Sequence, residues 1–418
     1  MGTVREMSGE QVAAQLVSIV GDQFVSSAGQ TISVAPATVP QIAEVLRFAQ
    51  AKGLAVIPSG AGTKLGWGNP VEADIQLSLR RMCGVKTHSW QDMTCTVEAG
   101  ITWEKMQAAL KKHGQMVALD PLWPQSASVG GVIATNDSGA MRQKYGGLRD
   151  LVIGMTVILA DGTVAKSGGM VVKNVAGYDV HKLMTGSFGT LGVVADVNFR
   201  LHAIEESATT WTVTPGGREL LPIESFSEPL LALLDSHLTL SGAQLRILKN
   251  QAVLDVRVAT VPECVAQQLA CLRDIFKGFE INESDASVWG ARQELFHDPD
   301  SIVVKVAVLP ADICHICSAL QKWADTRNVH LSTVAQAAGI MTMGFDAPAE
   351  IARELILDMR ETLAASGGTV VILRSPNRLR DVVDPWGPPP GALPLMREIK
   401  RRFDPERNLS PGRFVGGI

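Results

Sequence analysis

Apolar positions along the chain switch between two periods, and the switches mark out its elements. Ile42, Val45, Leu46 and Ala49 fall on one stripe of a 3.6-residue period, which predicts a helix over Pro40–Lys52. A short apolar strand over Leu54–Ile57 follows, leading into a run dense in glycine. Strands are also predicted at Thr94–Glu98, Leu151–Leu159, Gly169–Val172 and Gly192–Val197, with Asp161-Gly162 as a turn signal between two of them.

From about residue 208 the pattern changes and then repeats itself. A strand at Thr210–Val213 precedes a helix near Pro229–His237, strands at Gln244–Leu248 and Val253–Val258, and a helix at Pro262–Phe276. The echo runs from Ile302–Val308 through a helix at Ala311–Asp325, strands at Val329–Val334 and Ile340–Phe345, a helix at Pro348–Ala365 and a strand at Thr369–Leu373. Both halves read β-α-β-β-α, the order of a ferredoxin-like split βαβ unit. Leu254, Val256 and Val258 alternate with Asp255 and Arg257, so one sheet face is expected to be buried and the other wet. This predicts an antiparallel sheet with helices on one side, a cap with no nucleotide site of its own.

The remaining segment begins with the proline-rich Asp384-Pro-Trp-Gly-Pro-Pro-Pro-Gly391 and continues into a short helix over Leu393–Phe403. It is expected to dock on an earlier domain, because Phe403, Leu409 and Phe414 would otherwise face water. Three parts result: an α/β domain over 1–205, a cap over 206–375, and a linker and tail over 376–418.

Composition narrows the function. A length of 418 residues allows several cores, and 46% apolar with 19% charged residues is ordinary for a soluble globular protein. A formal charge of -4 without Lys/Arg runs argues against nucleic acid or anionic membrane as the main partner. The first ten residues lack an apolar run, so no signal peptide is expected, and no window predicts a membrane span. Six scattered cysteines fit reduced thiols in a cytoplasm.

The candidate chemistry lies in small-residue loops. Pro58-Ser-Gly-Ala-Gly-Thr-Lys-Leu65 leaves a strand with glycines that permit converging N–H groups, a geometry suited to phosphate. Its G-x-G-x-x-x-G spacing is not the dinucleotide fingerprint, and no Gly-Lys pair exists for a P-loop. Pro124-Gln-Ser-Ala-Ser-Val-Gly-Gly-Val-Ile-Ala-Thr-Asn-Asp-Ser-Gly-Ala140 mixes hydroxyl residues with adjacent glycines in the same way. Lys173-Asn-Val-Ala-Gly-Tyr-Asp179 and Met184-Thr-Gly-Ser-Phe-Gly-Thr-Leu-Gly-Val-Val194 complete the set. Cys314-His-Ile-Cys317 has the spacing of a metal or redox pair but lacks a second pair, and Cys317 falls on an apolar helix stripe. A core-facing helix is the expectation there. No cysteine run matches an iron–sulfur cluster.

These loops together resemble the FAD-binding (PCMH-type) domain of the vanillyl-alcohol oxidase family, and nearly the whole chain is similar to the FAD-binding subunits of bacterial glycolate oxidases. The resemblance implies an α+β fold, a PCMH-type domain with a ferredoxin-like cap. It places Pro58, Ser59, Gly60, Ala61, Gly62, Thr63, Lys64 and Leu65 around the FAD pyrophosphate. Ser126, Ser128, Val129, Gly130, Gly131, Asn136, Ser138 and Gly139 match the segment beside pyrophosphate, ribityl chain and flavin. Val194 falls on the adenine side, and Tyr178 and Asp179 lie in a motif near the cofactor. No histidine occupies the first loop, where some relatives tether FAD, so noncovalent binding is expected; His88, the nearest, reads as a surface residue.

Two departures shape the implied activity. Catalytic relatives usually carry Glu where this chain has Phe188, and they bear His-x-His and Gly-Asp-Gly-Asn-Leu-His motifs that are missing here. His88, His113, His181, His202, His237, His297, His315 and His330 are isolated, so no metal site is expected. The resemblance then implies an oxidation of glycolate to glyoxylate shared with a catalytic flavoprotein subunit and an iron–sulfur subunit that passes electrons to a quinone. Such a chain would be cytoplasmic, reaching the inner membrane through its partners. A self-sufficient 2-hydroxy acid dehydrogenase and a flavin-free assembly subunit stand as alternatives. No catalytic residue is assigned; Lys173, Arg374 and Arg378 are candidates for a carboxylate, and Trp67 for packing against the first loop.

Overall fold

The computed structural model describes residues 7–170, 177–216, 221–248, 251–380 and 382–418. They form two compact units: residues up to 138 with 147–204 and 389–418, and residues 139–146 with 205–388. The segment read as one tail from 376 therefore divides near Pro388, and a short piece around Ala140 joins the second unit.

In the first unit, β1 (Val25–Ala28), β2 (Thr31–Val34), β3 (Val56–Ser59) and β4 (Ile75–Ser78) make a sheet in the order β1-β2-β4-β3. Strands β2, β4 and β3 are parallel, and the helix α1 (Val39–Lys52) makes the crossover. Thr38 caps it by accepting the Gln41 N–H, and Gly53 ends it in a left-handed conformation. Ile42, Val45, Leu46 and Ala49 are buried, the stripe expected from the pattern. A second sheet holds β5 (Val85–Ser89), β6 (Thr94–Glu98), β7 (Val152–Ile158), β8 (Val164–Gly168) and β9 (Val193–Arg200) in the antiparallel order β5-β6-β9-β7-β8. The hairpin at Asp161-Gly162 forms, with Asp161 accepting the Thr163 N–H at 2.8 Å. The strand after it is β8, which ends at Gly168 with φ +70°, so Gly169 and Met170 of the expected Gly169–Val172 strand fall outside it. Residues 171 and 172 lie outside the described residues. One core joins both sheets, with Leu77, Val97, Val157, Trp103 and Phe199 at or near zero exposure.

The C-terminal segment completes this unit. Strand β3 is a sheet edge, and Leu409 bridges it in parallel through Val56 N–H to Asn408 O at 2.7 Å and Ser410 N–H to Val56 O at 2.8 Å. The preceding helix α2 (Leu393–Phe403) buries Lys400. Its Nζ donates to Thr190 O at 2.8 Å, Leu409 O at 2.8 Å and Asp404 Oδ2 at 2.6 Å. Asp404 in turn accepts the N–H groups of Asn408 and Leu409.

The second unit is one antiparallel sheet of β10 (Ala208–Pro215), β11 (Leu240–Leu248), β12 (Gln251–Ala259), β13 (Phe279–Glu283), β14 (Ile302–Ala307), β15 (His330–Gln336), β16 (Ile340–Asp346) and β17 (Thr369–Arg374). Its order, β13-β10-β12-β11-β15-β16-β14-β17, is two ferredoxin-like halves joined between β11 and β15. The sequence pattern misses β13, a short, mostly exposed edge strand in which only Phe279 and Ile281 are apolar. Helices at 227–234, 265–275, 313–326 and 349–364 supply the buried apolar layer. Cys314 and Cys317 sit in that core, and burial pushes the Cys314 thiol up to about 11.

The face opposite the helices differs from expectation. Asp255 is fully buried rather than wet. Arg246 grips it with two bonds of 2.6 and 2.9 Å, and Gln244 and Thr212 donate to it at 3.0 and 2.8 Å. Trp289 donates to Thr210 and Gln244 to Val288 O, so the 285–290 turn lies over these strands. Alternation therefore separates apolar from polar here, not buried from exposed; a covered carboxylate survives because every oxygen is paired. Among the described residues no helix is long and apolar enough to cross a membrane.

Two stability predictions follow from the first unit. Asp404→Ala strands the Lys400 charge in the interior and is expected to cost about 3–5 kcal/mol in denaturant unfolding. His181 is buried against Ser167, which lies 3.0 Å from its Nδ1, and burial lowers its pKa below the ordinary 6.5 despite Asp179. The folded state thus refuses a proton that the unfolded chain accepts. The contribution is complete above 6.5 and is lost as pH falls toward the lowered value. Melting temperature should decline with acidification through that window, and His181→Gln should flatten the decline.

Candidate cofactor site

A cleft of about 690 Å³, counted to its open mouth, lies within the first unit where three loops meet. The first loop leaves β3 and contributes Pro58, Ser59, Gly60, Gly62, Thr63, Lys64 and Leu65. A second wall comes from Ser128, Gly130, Gly131, Ala134 and Thr135, and a third from Ser187, Phe188, Gly189, Gly192 and Val194. Leu79, Ala99 and Arg413 close it.

The first loop keeps N–H groups in reserve. Its trans-planar peptides point C=O and the following N–H in opposite directions. Arg80 donates to the carbonyls of Gly60 and Ala61 at 3.2 and 3.1 Å. No acceptor among the described residues takes the N–H groups of Gly60, Ala61, Gly62 or Thr63. Gly62 has φ +82°, which an L side chain rarely adopts. A Cβ on Gly60 would stand 2.6 Å from the Cβ of Ser128, so the loop can lie against the second wall only as glycine.

Lys64 looks like the natural anion ligand but is otherwise engaged. Its buried ammonium lies 3.5 Å from Asp137, donates to Leu122 O at 3.3 Å, and sits 5.7 and 5.2 Å from the rings of Trp67 and Trp123. Trp67 is thus packed beside the loop, as its position suggested.

The second wall is a short helix over Val129–Thr135 capped by Ser128, whose hydroxyl accepts the Gly131 N–H at 3.3 Å. Val129 and Gly130 donate to the carbonyls of Ile101 and Ala99. The helix start is therefore spent on the fold, and its role is a flat glycine face; a Cβ on Gly130 would meet Ala99 at 3.0 Å.

Eleven of the residues selected from the sequence line the cleft: Pro58, Ser59, Gly60, Gly62, Thr63, Lys64, Leu65, Ser128, Gly130, Gly131 and Val194. Six do not. Ala61 turns its carbonyl to Arg80, Ser126 is exposed, Val129 points into the core, and Asn136 ends the helix at φ +48°. Ser138 is buried outside the lining, and Gly139 belongs to the second unit. Tyr178 is 91% exposed and Asp179 pairs with Lys182 at 2.8 Å. Lys173 lies outside the described residues, as does the side chain of Arg378. Arg374 is committed to holding the turn at Phe296–Ser301. The residues missed are Leu79, Ala99, Ala134, Thr135, Ser187, Phe188, Gly189, Gly192 and Arg413. The Gly-Ser-Phe-Gly-Thr-Leu-Gly stretch pointed to some of them.

Unpaired N–H groups beside an apolar, glycine-faced slot suit a dinucleotide with a diphosphate at its middle. Residues 31–168 match the family model described as FAD binding domain. This part of the chain is an FAD-binding domain. The glycolate oxidase subunit GlcD of Bacillus subtilis is 33% identical over 178 residues, 42% of this chain and 38% of that protein. The D-2-hydroxyglutarate dehydrogenase of Xanthomonas citri pv. viticola is 36% identical over 40% of this chain and 35% of its own length. The chain thus spans well under half of these two relatives. The D-lactate dehydrogenase of Archaeoglobus fulgidus is 26% identical over 92% of this chain and 91% of its own. Among solved structures, p-cresol methylhydroxylase with bound substrate superposes with a TM-score of 0.77 at 15% identity, covering 98% of this chain and 97% of that one. A 4-ethylphenol oxidase from Gulosibacter chungangensis gives 0.72 at 15% identity over 97% and 96%. The chain therefore shares its fold with p-cresol methylhydroxylase and this 4-ethylphenol oxidase.

Gly60→Ala should push the loop off Ser128, and Gly62→Val should strain a β-branched residue at positive φ. Each is expected to raise the FAD dissociation constant of the apo protein by at least about tenfold, measured by flavin fluorescence.

Proposed function

We propose that this chain binds FAD noncovalently and serves as the FAD-binding subunit of a complex that oxidises glycolate to glyoxylate. The loop over Gly60–Thr63 holds the diphosphate, Ser128–Gly131 supports the ribityl side, and Val194 the adenine side. FAD held there would supply two-electron redox chemistry to the complex. Noncovalent attachment is supported by the described lining, which contains no His, Cys or Tyr.

The observation that carries the subunit reading is the charge content of the cleft. Its described lining contains no His, Asp or Glu that could act as a base, and the sequence lacks both histidine motifs of catalytic relatives. Substrate oxidation would then centre on a catalytic flavoprotein partner, with an iron–sulfur subunit taking the electrons, in the cytoplasm or at the inner membrane through those partners. A second reading, a self-sufficient 2-hydroxy acid dehydrogenase, is favoured by the near full-length match to the Archaeoglobus D-lactate dehydrogenase.

Purification of the whole chain separates them. The subunit reading expects a yellow protein whose flavin is not bleached by glycolate or D-lactate with a dye acceptor until partner subunits are added. Bleaching by the isolated chain would establish the second reading. A colourless protein that stays apo in excess FAD would instead favour an assembly role.

A further inference from the structure

The sequence places no basic residue of the tail at the cofactor, yet the guanidinium of Arg413 stands buried in the wall of the cleft. It donates through Nη2 to Lys64 O at 3.0 Å and Leu65 O at 3.3 Å, through Nε to Trp67 O at 3.3 Å, and through Nη1 to Phe188 O at 3.3 Å. The Phe188 ring lies 5.6 Å from it and 5.7 Å from the Phe414 ring. Phe188 itself has φ +56° and donates its N–H to Ala134 O. One side chain thus gathers carbonyls from the first and third loops, while Arg80 collects Gly60 O and Ala61 O from outside.

We infer that Arg413 and Arg80 are positioning residues that preset the diphosphate cradle by drawing loop carbonyls away from it. In a trans peptide, fixing Gly60 O and Ala61 O turns the N–H groups of Ala61 and Gly62 the opposite way, and fixing Phe188 O does the same for Gly189 N–H. Gly62 and Gly189 line the cleft. The arrangement lowers the reorganisation needed when an anionic diphosphate arrives, because repelling carbonyl dipoles are already withdrawn. The planar fork matters: several acceptors at separate points suit a guanidinium, while an ammonium cannot span them. The tail also secures itself here, since Asn69 N–H donates to Arg413 O and its side chain to Gly412 O at 2.9 Å.

This inference rests on the FAD reading of the cleft, and the test keeps the two apart. FAD affinity of the full-length apo protein is measured by flavin fluorescence for the wild type, Arg413→Ala, Arg413→Lys and Arg80→Ala. Arg413→Ala should bind FAD at least about tenfold more weakly. Guanidinium chloride below denaturing concentration should restore part of that affinity, and an equal concentration of sodium chloride should not. Arg413→Lys should remain weakened, and Arg80→Ala should lose about threefold. Unchanged affinity in Arg413→Ala, or a loss that guanidinium leaves untouched, overturns the inference. Should Arg413→Ala fail to fold, Arg413→Lys and Arg80→Ala decide: wild-type affinity in both overturns it. Failure of the wild-type chain to bind FAD would overturn the cofactor reading instead.

Discussion

A loop that holds a diphosphate through backbone N–H groups must leave them unpaired before the ligand arrives, and the rest of the first unit is organised around that constraint. Unsatisfied backbone donors in a folded interior are costly. Here the cost is contained by pairing everything adjacent: Arg80 and Arg413 take the carbonyls, Asp137 takes the Lys64 charge, and Ser128 and the carbonyls of Ala99 and Ile101 take the neighbouring helix start. Among the described residues, the unpaired donors of the first loop run from Gly60 to Thr63.

The second unit handles polarity differently. Its helix-covered face is a continuous apolar layer, whereas the other face is a closed network around Asp255 and Arg246. Both faces are ordered, one by burial of apolar area and one by charge-assisted hydrogen bonds. The near-symmetric strand order suggests how such a sheet is built: each ferredoxin-like half leaves its second strand as an edge, and β11 and β15 cover one another.

Local information carried much of this into the sequence. The stripe of α1, the Asp161-Gly162 hairpin and the repeated β-α-β-β-α order are short-range patterns, and the structure follows them. Glycine spacing also marked the first loop. What the pattern could not reveal was long-range. Arg413 reaches Lys64 across 349 positions and Lys400 reaches Thr190 across 210. Asp255 reads as a solvent residue because alternation reports polarity, and only the residues lying over it make it buried. Asn136 and Ser138 share a small-residue run with true lining residues, yet a helix turn carries them past the cleft.

The bridge between Val56 and Leu409 has a further meaning for synthesis. Strand β3 emerges from the ribosome early, but its edge partner and the arginine that shapes its loop emerge after nearly all of the second unit. The first unit is therefore discontinuous in time as well as in sequence. Its cofactor cleft cannot close before residues 409–413 have been made, so the first unit lacks one wall throughout synthesis of the second.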